Sequence, residues 1–175
     1  MPATHTVTRL SADDLHAEAD GLAELLADAV EGGDSLGFLA PFDQEQAAAW
    51  WLAQRAAVEE GGLAVWAARS TEGVVGTVGL ALSAKPNARH RAEVVKLMVR
   101  RDARGRGLAR LLLATAEQAA ADAGVELLLL DTETGSAAEN LYLSAGWTRF
   151  GIVPDYAAEP GGRLRDCSFY FKRLT

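Results

Sequence analysis

Residues 100–110 read RRDARGRGLAR, five arginines and two glycines with a single acid, Asp102. Basic side chains interleaved with glycine in a short turn are suited to holding an anion. Glycine lets the backbone approach a ligand with no Cβ in the way. A helix that opens directly after such a turn aims its unpartnered N–H groups, and the positive end of its dipole, at one spot. The run before the turn, EVVKLMV at 93–99, has the composition of a strand. After it, Leu108, Leu111, Leu112, Thr115 and Ala119 recur at helical spacing up to about residue 123. The turn is therefore expected at a strand-to-helix junction, with phosphate held by the backbone of Arg104, Gly105, Arg106, Gly107, Leu108 and Ala109. A solvated basic face is the alternative meaning of so many arginines.

The charge of the whole chain limits what that anion is. A net charge of -7 over 175 residues excludes a general binder of nucleic acid or of anionic membranes, which needs a basic excess. A local basic turn in an acidic chain suits a small polyanion instead. With 49% apolar and 23% charged residues, and no repeat, low-complexity tract or linker, one globular domain is expected over 1–175. The lone Cys167 cannot close an intramolecular disulfide and stands in no Cys/His cluster, so no metal is expected. The first residues lack an apolar run of signal-peptide length, and no segment approaches the ~20 apolar residues of a membrane span. A cytoplasmic location is expected.

The remaining elements must position the turn. Residues 6–10 read as a first strand. Ser11 with Asp14 forms a variant capping box, and Leu15, Ala19, Leu22, Leu26 and Ala29 carry a helix to Gly32 and Gly33. His5 and His16 have no ligand-like neighbours. Residues 34–42, DSLGFLAPF, are apolar without period, and either lie over a cleft or pack on the core. Asp43 and Gln46 repeat the capping pattern before a helix with Trp50, Trp51 and Val58. Adjacent tryptophans cannot share one helical face, so one is expected in the core and the other at a pocket. Residues 63–70 and 74–84 make an antiparallel hairpin around Thr71, Glu72 and Gly73, and 85–90 turn the chain into the strand at 93–99. Residues 125–131 fit a strand buried on both faces, parallel to its predecessor through a right-handed crossover. Ser136 and Glu139 open a helix through Tyr142 to Ala145, and 147–153 and 164–173 close the chain as strands.

Two families compete for the turn. Gly105, Gly107 and Arg110 fall where a dinucleotide-binding G-x-G-x-x-G has its glycines, but the third is an arginine. The motif also follows antiparallel strands rather than opening a series of βα units. The spacing Arg104-x-x-Gly107-x-Ala109 instead resembles the signature of the GNAT superfamily of N-acetyltransferases. Here it sits between an apolar strand and a helix, and is followed by a strand and a tyrosine-bearing helix. Within that superfamily the chain resembles most closely the tabtoxin-resistance type. The likeness runs through GFLA at 37, KPN at 85, RAEVVKLMV at 91, ARGRGLARLL at 103, LDTETGSAAENLY at 130, GGRL at 161 and YFKRL at 170. It is weakest over the first 30 residues.

The resemblance implies one α/β (α+β) domain, with a mixed, mostly antiparallel twisted sheet of about seven strands and flanking helices. It implies acetyl-CoA as cosubstrate, its pyrophosphate on the backbone of Arg104 to Ala109. Leu97, Met98 and Val99 would pair with the pantetheine arm like an added strand, and an N–H near Met98 would face the oxyanion. Glu93 and Asp131, on neighbouring strands, match acids that take the acceptor's ammonium proton through water, or else bind the cation. The alternatives are a strand-edge ion pair for Glu93 and a loop or helix-cap role for Asp131. Tyr142 matches the acid that protonates the CoA thiolate, its alternative being a core aromatic with a satisfied hydroxyl. Phe38, Trp50 and Tyr156 are candidates for the acceptor end. Two departures stand out: Gly135 where many members have Asn, and Trp147 after Gly146 where Phe is usual. The expected acceptor is a small amine, an amino-acid-like antibiotic or toxin. A peptide, a polyamine, an aminoglycoside or a non-catalytic acyl-CoA sensor are the other readings. A homodimer paired through the final strand SFYF is a further expectation.

Overall fold

Two capping boxes set where the first helices begin. Asp14 N–H donates to Ser11 Oγ at 3.1 Å and Ser11 N–H to Asp14 Oδ2 at 2.8 Å; Asp43 and Gln46 exchange the same pair of bonds at 2.8 and 3.0 Å. The computed structural model describes residues 5–174, so the outermost ends of the domain expected over 1–175 lie outside the described residues. Its strands are β1 (Thr6–Leu10), β2 (Leu63–Ser70), β3 (Gly73–Leu82), β4 (Arg91–Val99), β5 (Leu127–Glu133), β6 (Thr148–Ala158) and β7 (Leu164–Arg173). The helices are α1 (Ala12–Ala17), α2 (Ala19–Glu31), α3 (Gln44–Ala53), α4 (Arg55–Glu59), α5 (Leu108–Asp122) and α6 (Ala137–Ser144).

All seven strands form one sheet in the order β1-β2-β3-β4-β5-β7-β6. Every neighbouring pair is antiparallel except β4 and β5. One face of the sheet packs on α5 and α6 through Val78, Val94, Leu112, Leu128 and Tyr170. The other packs on α1 to α3 through Leu15, Leu22, Leu26, Trp51 and Val65.

Several elements differ from the sequence reading, each for a physical reason. The single helix expected from Leu15 to Ala29 is two, broken at Glu18 (φ -107°). Leu15, Leu22, Leu26 and Ala29 are nonetheless all buried, so the apolar stripe runs through the break and hides it. The helix after Asp43 is likewise divided at Gln54. At α6 the capping is displaced: Glu139 Oε2 accepts from Gly135 N–H at 2.7 Å, and its other oxygen accepts from the buried Tyr170 hydroxyl at 2.6 Å. Strand β6 runs on to Ala158, past a left-handed residue at Asp155 (φ 51°), where a loop was expected. Strand β5 is buried on one face only, through Leu128 and Leu130, because Asp131 reaches solvent on the other. The SFYF segment is part of β7, whose two edges already pair with β5 and β6. It therefore has no edge left for a partner chain, and the free edge of the sheet at that end is β6.

Candidate active site

The parallel pairing of β4 with β5 is confined to Arg91–Glu93 against Leu127–Leu129. Beyond Glu93 the two strands part. On the β3 side β4 also gains a residue: Gly79 pairs with Val95 but Thr77 pairs with Met98, and Lys96 takes the left-handed conformation (φ 50°). Such a bulge increases local twist and ends regular pairing. The parted strands open a cavity of about 690 Å³, lined by Lys96, Leu97, Met98, Asp131, Tyr142 and Tyr156 among others. It shares Val99, Arg104, Ala109, Ala137 and Leu141 with a second cavity of about 560 Å³ at the start of α5, so the two are continuous.

That second cavity is the glycine turn. Gly105 (φ 75°) and Gly107 (φ 77°) both need the left-handed region, and nothing lies within 4 Å of where a Cβ would stand on either. No side chain caps α5. The first backbone donor after the turn is Leu111 N–H, to Gly107 C=O at 3.1 Å, so among the described residues the N–H groups from Gly105 to Arg110 have no protein acceptor. Unpartnered donors gathered at a helix start are able to hold an anion through the backbone.

The arginines divide into two groups. Arg100 is tied to Asp102 and Glu72 at 2.6 and 2.9 Å, and Arg101 to Asp28 and Glu31 at 2.8 and 3.0 Å. Arg104 donates to Val99 C=O at 2.9 Å and to Asp34 at 2.6 Å. These three fasten the turn to the β2–β3 connection, α2 and the loop after α2. Arg106 forms no ion pair among the described residues, and Arg110 reaches only the Ser144 hydroxyl on α6. Among the described residues Arg106 and Arg110 thus have no acidic partner, whereas Arg100, Arg101 and Arg104 do.

Glu93 and Asp131 lie on one face at the split; Asp131 lines the larger cavity, and Glu93 is not among its lining residues. Glu93 pairs with Leu129, and Asp131 stands two residues on, on the same face. Both stay in contact with solvent, yet enough protein surrounds them to perturb them. Desolvation pushes the Glu93 carboxyl above its ordinary value, and the negative charge of Asp131 adds to the rise; Lys96 and Arg91 oppose it. Asp131 is likewise raised by desolvation and lowered by Lys96 and its own backbone N–H. Tyr142 enters from α6, buried, with its ring centroid 6.0 Å from Trp147 and 5.8 Å from Tyr170. Among the described residues its hydroxyl makes no hydrogen bond, and the residue lines the larger cavity. Desolvation first, then Asp131 and Tyr170, lift its phenol above the ordinary range.

The sequence reading missed Lys96. Its ammonium donates to Leu36 C=O at 2.9 Å and lies 5.2 Å from the Trp50 ring centroid and 5.6 Å from that of Phe38. Desolvation lowers its pKa, against the raising influence of Asp131 and Glu93. The signal was a lysine inside an apolar strand run, EVVKLMV. Phe38 and Trp50 meet edge to face at 5.5 Å and pack, partly buried, against the core beneath α2 and α3; neither is among the residues lining the two cavities, and Trp51 is buried and donates to Leu22 C=O at 3.0 Å. Tyr156 lies on the far wall, edge to face with Phe169 at 5.0 Å. Of residues 34–42, Asp34 to Gly37 line the cavity while Phe38 and Phe42 pack on the core; the segment is anchored by Arg104 at Asp34 and by Ala40 N–H to Pro160 C=O at 2.8 Å.

The rat (Rattus norvegicus) protein N-acetyltransferase 8B is 38% identical over 92 residues, 51% of this chain and 41% of its own length. The chain thus spans about two fifths of that relative. The crystal structure of ribosomal-protein-alanine N-acetyltransferase from Brucella melitensis superposes with TM-score 0.75 at 27% identity, over 97% of this chain and 99% of the other. An acetyltransferase-like protein of Salmonella typhimurium, solved with its cofactor acetyl-CoA, gives TM-score 0.75 at 21% identity, over 98% and 94%. No helix among the described residues is long and apolar enough to cross a membrane. The family model described as Acetyltransferase (GNAT) family matches residues 21–147, from α2 through the glycine turn to Trp147, and the chain belongs to that family.

Proposed function

We propose that this chain is a single-domain N-acetyltransferase that moves the acetyl group of acetyl-CoA directly to the primary amine of a small amino-acid-like molecule. An antibiotic or toxin of the tabtoxinine-β-lactam type is the acceptor we favour. The observation that carries the reading is the convergence of Glu93 and Asp131 at the β4/β5 split, beside a turn whose N–H groups are free. The cradle from Gly105 to Arg110 suits the pyrophosphate, and Arg106 and Arg110 add cationic charge. Arg100 N–H donates to Val75 C=O on β3. Main-chain groups alternate along a strand, so Leu97 and Val99 face the split and can pair with the pantetheine arm. The same alternation assigns the oxyanion donor to Leu97 N–H rather than to Met98.

Acetyl-CoA supplies the activated acyl group; the chain supplies proton handling and placement. Glu93 or Asp131 takes the ammonium proton, directly or through water, and a raised carboxyl pKa makes each a better base near neutrality. Tyr142 offers its proton to the departing sulfur. A phenol is a weaker acid than a thiol in water, and the desolvation that raises Tyr142 also raises the proton affinity of the departing thiolate, offsetting that rise. Glu93, Asp131 and Tyr142 together weigh against a mere acyl-CoA sensor, and acetyl-CoA chemistry suits a cytoplasmic location. The test is thiol release from acetyl-CoA with a panel of amines that includes tabtoxinine-β-lactam, free amino acids, polyamines, aminoglycosides and short peptides. Turnover confined to amino-acid-like acceptors is expected; tight acetyl-CoA binding with no turnover on any amine would refute it.

A further inference from the structure

Resting on the acetyltransferase reading above, we infer that Lys96 selects the acceptor by taking the carboxylate of an α-amino acid whose ammonium group lies between Glu93 and Asp131. The bulge is what brings Lys96 to this place. Ala92 and Val94 face α5, and in an unbroken strand Lys96 would follow them onto that face. The extra residue turns it to the opposite face, which it shares with Glu93, Asp131 and the partly buried Phe38 and Trp50. The left-handed backbone at Lys96 disfavours any residue with a side chain. A placement held in that way points to use.

The ammonium is only partly answered by its surroundings. One proton goes to Leu36 C=O, and the faces of Phe38 and Trp50 offer the weaker attraction of their π clouds. Among the described residues Lys96 forms no salt bridge, although Glu93 and Asp131 are near enough to act on it through space. Donor capacity therefore remains for an anion from outside.

Charge then sorts the acceptors. A simple amine or a polyamine meets the two carboxylates but has no anion to set against Lys96, whose charge repels it. A zwitterion places its ammonium against the two carboxylates and its carboxylate against the lysine.

The test compares leucine, methionine and phenylalanine, each with its carboxamide and its decarboxylated amine, as kcat/KM per free-base amine with acetyl-CoA saturating. A charge-assisted contact predicts a preference for the amino acid of about ten- to a hundredfold in the natural protein. Lys96→Gln, which keeps a donor for Leu36, and Lys96→Met should each bring that ratio to within about threefold of unity. Folding of both variants is checked by thermal melting. A preference that survives in Lys96→Gln, or its absence from the natural protein while amines are still acetylated, overturns the role of Lys96 alone. Failure to acetylate any amine overturns the acetyltransferase reading together with it.

Discussion

Replacing Tyr142 with Phe removes one oxygen and leaves the ring where it is, packed against Trp147 and Tyr170 in a buried position. Among the described residues the hydroxyl has no hydrogen-bond partner, so none of the ~0.5–1.5 kcal/mol of a typical internal hydrogen bond is lost. For a domain of this size 1 kcal/mol moves Tm by about 2–4 °C, and Tyr142→Phe should therefore melt within about 2 °C of the natural protein. Activity should behave differently. A positioned general acid contributes roughly 10²–10⁴-fold, which is about 3–5 kcal/mol of barrier at 1.36 kcal/mol per tenfold. The assay is steady-state thiol release across pH, alongside a melt. Because burial keeps the phenol protonated well above the ordinary range, Tyr142 contributes no limb to the profile. The variant's curve should be lowered throughout and keep its shape. A kcat within about threefold of the natural value would make Tyr142 a core aromatic and refute its role as acid. A Tm fall beyond about 5 °C would instead reveal a structural partner for the hydroxyl.

Glu93→Gln and Asp131→Asn should each lower the rate and displace the acid limb of the pH profile, since both carboxyls are raised in the fold. A raised folded-state pKa means that the folded chain holds the proton more tightly than the unfolded one. The stability this confers is present below the unfolded carboxyl value and lost as pH rises through the folded one. The amide variants should then melt no lower than the natural protein at pH 7, read by thermal scans at acid and neutral pH. Gly107→Ala meets no atom within 4 Å but forces an alanine to φ 77°. A loss of about 1–2 kcal/mol in stability is expected, with a raised KM for acetyl-CoA, both measurable on the one variant. Arg101→Ala should lower Tm with little change in acetyl-CoA affinity, because its bonds are to Asp28 and Glu31. Arg106→Ala should do the reverse, weakening acetyl-CoA binding in titrations with little change in Tm.

What was legible in the sequence is what depends on local chemistry. The turn from Arg104 to Ala109 was readable because glycine conformation and unpaired helix donors are set within a few residues. The capping boxes at Ser11 and Asp43 were readable for the same reason. Partners distant in the chain were not: nothing in RRDARGRG says that Arg101 answers Asp28 or that Arg104 answers Asp34, so five arginines read as one anion site. The break at Glu18 was masked because the helices on either side of it bury a continuous stripe. The place of β7 was misjudged because its apolar run, SFYF, is what an edge strand at an interface and an interior strand both show. Gln54 carries no breaker signal that would have marked the divided helix, whereas Pro154 and Asp155 read as the start of a loop although the strand only bends there and runs on.

The least legible feature is the one on which the proposed chemistry turns. Side chains alternate along a strand, so one added residue moves every later side chain to the other face. Without the bulge at Lys96, Met98 would leave the core beneath α2 and α3 for the α5 face, and Val99 would make the opposite move. Lys96 itself would point at α5 and bury a charge among leucines. With the bulge, Glu93 and Lys96 share a face, Met98 and Val99 each find an apolar core, and β4 stops following β5. The cavity, the exposed main chain at Leu97 and the charge placed by Lys96 then have one origin. Deleting a single residue between Val95 and Met98 should accordingly abolish activity and stability together, whereas Lys96→Gln should alter acceptor choice in a folded protein.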